Sequence, residues 1–233
     1  MNRKTYIYLG VSVIALIAIY LISFISIDKA VTVSGKVSEN KPTIVIDAGH
    51  GGEDGGASTD DNILEKNINL AIATKLRDIF ESNGFSVIMT RESDTDLSDV
   101  NDKRKASDLN NRVELFNNSV NNIVISIHQN KFTESQYRGA QIFYSGNNNK
   151  SKDFAQCVST SIKMMLQPYN DREIMLSGSE ILILDKTQVP IILVECGFLS
   201  NNEDVLLLSD DKYQNKLAFS IYLGFLEYYY TNY

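Results

Sequence analysis

The stretch TIVIDAGHGG, residues 43–52, decides the fold. Its first half, Ile44, Val45 and Ile46, is a short β-branched run without polar alternation, the reading of a strand buried on both faces. Its second half breaks at glycine and presents His50 among residues small enough to let backbone or ligand approach closely. The same grammar recurs in NNIVISIHQN, residues 121–130, where the apolar run leads to His128. These are the two histidines of the chain, each just past a strand, where parallel sheets display reactive side chains. One histidine is more often structural. Two in matching contexts, joined by a carboxylate from elsewhere, would make a three-ligand zinc site with one open position, the signature of a metal-dependent hydrolase.

Outward from these strands the pattern alternates. Ile68, Ile72, Leu76, Ile79 and Phe80 recur at helical spacing, with Glu65 near the helix start and Asn83-Gly84 at its end. A strand follows over 85–89 and a polar surface loop over 91–105. Leu109, Val113 and Phe116 suggest a second helix feeding the strand 123–127. Further strands are expected at 140–144, 181–184 and 191–194, helices over 154–166 and through Leu217, Ile221 and Phe225, and a turn at Val189-Pro190. Alternating strands and helices predict an α/β fold with a largely parallel central sheet flanked by helices. His50, His128 and Glu195 then share one edge of the sheet.

The N-terminus reads differently. Arg3 and Lys4 precede an uncharged, mostly apolar run over 6–27, long enough for a bilayer, which takes roughly 20 residues. Basic residues before the run predict a cytoplasmic N-terminus and an extracytoplasmic remainder. No small-residue cleavage pattern follows, so an uncleaved anchor is expected over 1–28, a polar linker over 29–41, and one catalytic domain over 42–233. With 29 acidic against 22 basic side chains and a net charge of −7, nucleic acid is a poor partner. Two cysteines, Cys157 and Cys196, make no disulfide framework, and Cys196 reads as a buried free thiol.

Several carboxylates compete for roles. Glu65 is the candidate third ligand, or an acid favoured by the helix dipole. Glu195 ends the apolar run of PIILVECGF; a desolvated carboxylate there would have a raised pKa and suit a general base, while an acid reaching solvent is the ordinary alternative. Asp47 either orients an imidazole or caps the following loop. Asp54, Asp60 and Asp61 read as solvated loop acids. Arg91, Arg112 and Arg138 read as surface ion-pair partners or contacts to a substrate carboxylate.

Taken together, IDAGHGGEDGGA, LEKNINLAIATKLRDIFESNGFSVIMTR, ISIHQN, RGAQIFYS and VECGFLSNNED resemble the zinc-dependent N-acetylmuramoyl-L-alanine amidases, in order from about Thr43 to the C-terminus. The resemblance implies a zinc-exopeptidase-like fold, with Zn2+ held by His50, Glu65 and His128 and with Glu195 as catalytic glutamate. It implies hydrolysis of the amide between N-acetylmuramic acid and the L-alanine of the peptidoglycan stem peptide, and the possibility of an activating protein partner. Gln129, Lys131, Phe132 and Cys196 depart from the usual residues and bear on substrate fit. One anchor and one catalytic domain without wall-binding repeats are similar to the spore-cortex type, whose peptide-stripped product passes to an enzyme making muramic lactam. The rival readings are a zinc carboxypeptidase or endopeptidase of peptidoglycan, and an inactive membrane-tethered wall-binding protein.

Overall fold

Alternate side chains of β1 (Thr43–Ala48) point to opposite faces of the sheet and enter two separate cores. Ile44 and Ile46 join one cluster, while Val45 joins the other. In the computed structural model, which describes residues 41–99, 101 and 105–233, this strand lies inside a six-stranded sheet ordered β2-β1-β3-β6-β4-β5. The remaining strands are β2 (Ser86–Met89), β3 (Asn122–Asn130), β4 (Gln141–Tyr144), β5 (Met175–Leu176) and β6 (Ile191–Phe198). β2, β1, β3 and β6 run parallel. β4 is antiparallel to β6 and parallel to β5.

The helices are α1 (Glu65–Ser82), α2 (Lys105–Asn117), α3 (Lys150–Met165), α4 (Leu182–Lys186), α5 (Asn202–Leu208) and α6 (Asp211–Asn232). α1, α3 and α6 supply Ile72, Phe154 and Phe225 to the larger core, and α2 and α4 supply Phe116 and Leu184 to the smaller one. The expected stripe of α1 buries Ile68, Ile72, Leu76 and Phe80, and Gly84 closes the helix at φ 74°. Asn201 and Asp210 cap α5 and α6, accepting bonds from the Asp204 and Tyr213 amides. Cys196 is a buried free thiol.

Some expectations are corrected. Residues 181–184 do not form a strand; Leu182–Lys186 is the short helix α4. An all-apolar run of four does not distinguish the two by periodicity, and the slot beside β3 belongs to β6. A helical turn instead buries Ile183 and Leu184 against the smaller core, closed by the Thr187 hydroxyl donating to the Ile183 carbonyl at 2.5 Å. The strands also outrun their apolar cores, so His128 and Glu195 lie within β3 and β6 rather than after them. The anchor expected over 6–27 and most of the linker lie outside the described residues. Among the described residues no helix is long and apolar enough to cross a membrane.

Candidate metal centre and active site

The sheet brings three of the four candidate residues together through its backbone. His50 follows β1 directly, and the Gly49 amide donates to the Ile127 carbonyl at 3.1 Å, tying that turn to β3. His128 sits on β3 opposite Glu195 of β6 in the parallel register. Glu65, the first residue of α1, arrives from the loop between β1 and that helix. Its Oε2 lies 3.2 Å from His50 Nε2 and its Oε1 3.0 Å from His128 Nδ1. The two imidazoles meet edge to face, centroids 4.9 Å apart at 75°. One ligand atom from each of His50, Glu65 and His128 lies within 4.8 Å of the others.

That spacing fits a cation. Tetrahedral zinc with bonds near 2.0–2.1 Å holds its ligand atoms about 3.3 Å apart, close to the separation of each imidazole nitrogen from its nearer Glu65 oxygen, Oε2 for His50 and Oε1 for His128. The carboxylate is also braced from behind. Glu65 Oε2 accepts the Ala57 amide at 2.8 Å, and Oε1 accepts the Gln129 amide at 3.0 Å and Asn69 Nδ2 at 3.2 Å. Burial pushes this carboxyl up, but the bonds and charges of His128 and His50 outweigh it and hold it well below the usual carboxylate range. For His50 burial works downward, and Glu65 and Asp54 reverse it, leaving the imidazole raised.

Glu195 has a different environment. Its Oε2 is closed off from solvent with no hydrogen-bond partner. Burial pushes the carboxyl up to about 7, with His128 and His50 pulling down and Glu65 pushing up as smaller contributions. A carboxylate so placed takes up and releases a proton near neutrality, which suits a general base that later acts as an acid.

The residues behind the cluster differ from the sequence reading. Asp54 is no solvated loop acid, since its Oδ2 lies 2.9 Å from His50 Nδ1 and 3.0 Å from Lys105 Nζ. It fixes the ring so that Nε2 faces Glu65. Asp47 touches neither imidazole and caps no loop; fully buried, it accepts from Arg112 Nη1 at 2.5 Å and Ser126 Oγ at 2.6 Å. Arg112 and Arg91 are likewise buried rather than at the surface. Arg112 also bonds Asp108 and the carbonyls of Ala48 and His50, and Arg91 bonds those of Ala48, Gly49, Lys66 and Ser93. Between them they satisfy the turn that carries His50. Arg138 does form a surface pair, with Glu203, and Asp60 and Asp61 are exposed as expected.

Asn69 escaped the sequence reading, and Gln129, read there as bearing on substrate fit, instead braces Glu65 together with Asn69. Asn69 is fully buried and donates to both Gly49 O, at 3.1 Å, and Glu65, while accepting from Gln129 Nε2 at 3.1 Å. Its position four residues after Glu65 on one helix face was the available signal. Glycines set the remaining clearance. A Cβ on Gly49 would lie 2.3 Å from the His128 ring, and one on Gly56 2.5 Å from Glu65 Oε2 and 2.6 Å from the His50 ring.

A mostly parallel sheet flanked by helices, carrying a His-Glu-His cluster and a half-buried glutamate whose Oε2 is closed off without a partner, defines a hydrolase with a candidate metal centre. The chain belongs to the Amidase_3 family of N-acetylmuramoyl-L-alanine amidases, whose family model matches residues 44–227. It is 40% identical over 200 residues to the germination-specific N-acetylmuramoyl-L-alanine amidase of Bacillus subtilis, covering 84% of this chain and 81% of that one. The CwlD amidase from Clostridioides difficile, solved in complex with the GerS lipoprotein, superposes with a TM-score of 0.77 at 41% identity, covering 82% of this chain and 100% of the other. An N-acetylmuramoyl-L-alanine amidase from Clostridium difficile 630 superposes with a TM-score of 0.73 at 30% identity, covering 83% and 100%.

Proposed function

We propose that this chain is a zinc-dependent amidase of the spore cortex, cleaving the amide between N-acetylmuramic acid and L-alanine of the stem peptide. The reading is carried by one juxtaposition: the cluster of His50, Glu65 and His128 beside the partnerless Glu195 Oε2. His50, Glu65 and His128 would hold a zinc ion, which when bound would supply Lewis acidity and lower the pKa of water to about 7. Asp54 holds His50 by Nδ1, leaving Nε2 directed at the ion site. Glu195 accepts the proton of the attacking water and returns it to the departing L-alanine amine. The cortex assignment is supported by the germination-specific relative in Bacillus subtilis. The lipoprotein complex of the C. difficile relative supports a protein partner for this chain as well.

The same reading places an anchor over 6–27, a linker over 29–41 and an extracytoplasmic catalytic domain over 42–233, facing the space where cortex is built. The test pairs metal analysis with wall digestion. Wild type is expected to contain zinc and to release stem peptides with a free L-alanine N-terminus; Glu195→Gln is expected to keep the metal and lose activity by at least about a hundredfold. Cleavage confined to bonds within the peptide would instead identify an endopeptidase or carboxypeptidase. Full activity in Glu195→Gln would remove Glu195 from the mechanism.

A further inference from the structure

A second polar feature stands beside this site, on the neighbouring strand. Gln141 of β4 lies opposite Glu195 of β6 in the antiparallel register, and its Nε2 donates to the Glu173 carbonyl at 2.6 Å. The segment bearing Arg172 is thereby fastened one strand away from the proposed general base. The Arg172 guanidinium carbon lies 4.6 Å from the ring centroid of Phe198, the last residue of β6, and 5.6 Å from that of Tyr137. Its Nε donates to the Arg138 carbonyl at 3.2 Å. Two aromatic faces and a backbone bond fix a planar fork of donors in one orientation. Beside it opens a cavity of about 480 Å³ lined by Tyr137, Arg138, Tyr169, Asn170, Arg172 and Asp171, the last an exposed acid that does not pair with Arg172.

What distinguishes Arg172 is the missing counter-ion. Arg77 pairs with Asp78, Glu81 and Glu92, Arg112 with Asp47 and Asp108, and Arg138 with Glu203. Arg91 is bonded to four backbone carbonyls. Arg172 has no carboxylate within ion-pair distance among the described residues, in a chain whose net charge is −7. A guanidinium held by its Nε and two rings at the lining of a cavity matches a carboxylate, which it would grip through two parallel hydrogen bonds.

We infer that Arg172, braced by Phe198 and Tyr137, is a specificity-determining residue that binds a carboxylate of the peptide portion of the substrate. This rests on the amidase reading, because it takes the group beyond the scissile amide to be an acidic peptide. The charge acts on a part of the substrate that does not react, so it contributes to binding and leaves the chemical step alone.

The experiment uses the full-length chain in detergent with two muramoyl peptides, identical except that the acidic groups of one are converted to amides. Calorimetric binding and steady-state kinetics are measured on wild type, Arg172→Gln and Arg172→Lys. Wild type is expected to bind the free acid about tenfold more tightly than the amide, with the difference in KM rather than kcat. Arg172→Gln should bind both alike at the level of the amide, and Arg172→Lys, which keeps the charge without the fork, should recover part of the preference. Wild type treating both peptides alike would overturn the inference, as would Arg172→Gln weakening both equally or keeping the preference. Should Arg172→Gln fail to fold, the wild-type contrast and Arg172→Lys still decide. Failure of the amidase reading looks different: neither peptide would yield a product with a free L-alanine N-terminus, while the binding contrast would still report on Arg172.

Discussion

His50 is one of two non-glycine residues with positive φ among those described, at 61°, a region that costs an L-residue of order 1 kcal/mol or more. The turn is held there from several sides. Arg112 and Arg91 bind the carbonyls of residues 48–50, and Asp54 takes the ring. Asp54→Ala releases Nδ1 without removing a ligand, so zinc affinity should fall about 10–100-fold while the fold persists, as read by competition with a chelating dye. Zinc loading should also depend on pH with a definite sign. Because the His50 pKa is raised in the metal-free protein, the ring stays protonated to higher pH, and metal must displace that proton. Apparent affinity should therefore climb as pH rises through the neutral range, with proton release visible in calorimetry. Gly49→Ala is expected to be harsher. The added Cβ would sit 2.3 Å from the His128 ring and move a ligand, abolishing zinc binding in a protein whose circular dichroism is otherwise retained.

At the scale of elements, the close contact of α3 with α6 supports the sheet from behind. Gly224 makes that approach possible: a Cβ there would lie 2.5 Å from Val158 Cα and 2.9 Å from the Cys157 carbonyl, both backbone atoms that cannot rotate away. Gly224→Ala must separate the helices, so a loss of about 1–3 kcal/mol is expected, seen as a lowered denaturation midpoint with zinc affinity of the folded protein unchanged. The neighbouring Phe225 is fully buried and packs against Phe80, Phe85, Phe154 and Tyr229. Among the described residues the other face has no such aromatic stack. Its α4 is one turn, and this thinner layer borders the cavity lined by His50, His128, Glu195, Ile181 and Leu182. Three helices on one face against α2 and the short α4 on the other leave room for substrate on the side where Glu195 and His128 point.

For the whole molecule, buried carboxylates govern the response to acid. Burial raises the Asp47 carboxyl, but Arg112, His128 and Ser126 together leave it lowered, and Glu65 is lowered too. Both groups bind fewer protons folded than unfolded through the acid range, so their stabilisation is present above the ordinary carboxylate pKa of about 4 and is lost as pH falls towards the lower folded values. The metal-free protein should accordingly lose thermal stability steeply below about pH 4. Asp47→Asn leaves Arg112 buried with Asp108 as its remaining acidic partner, and should destabilise by about 3–5 kcal/mol at neutral pH while flattening part of the acid slope. A melting temperature independent of pH in that range would contradict this account.

Much of this design is local and therefore legible in the chain itself. The β-branched runs before His50 and within β3, the helical stripe of α1 and the Asn83-Gly84 stop determine their own conformation, because strand and helix periodicities are properties of neighbouring residues. The parallel order of the central strands follows from their alternation with helices, and puts His50, His128 and Glu195 at one edge. Tertiary structure alone decided the rest. Whether ILIL at 181–184 became strand or helix depended on which slot in the sheet was already filled. The roles of Asp47, Asp54, Arg91 and Arg112 depended on which partners lay within hydrogen-bond reach, as did the gathering of Asn69 and Gln129 behind Glu65. Charge and burial are set by atoms distant in sequence, so an acid in a loop and an acid holding an imidazole read alike until the chain has folded around them.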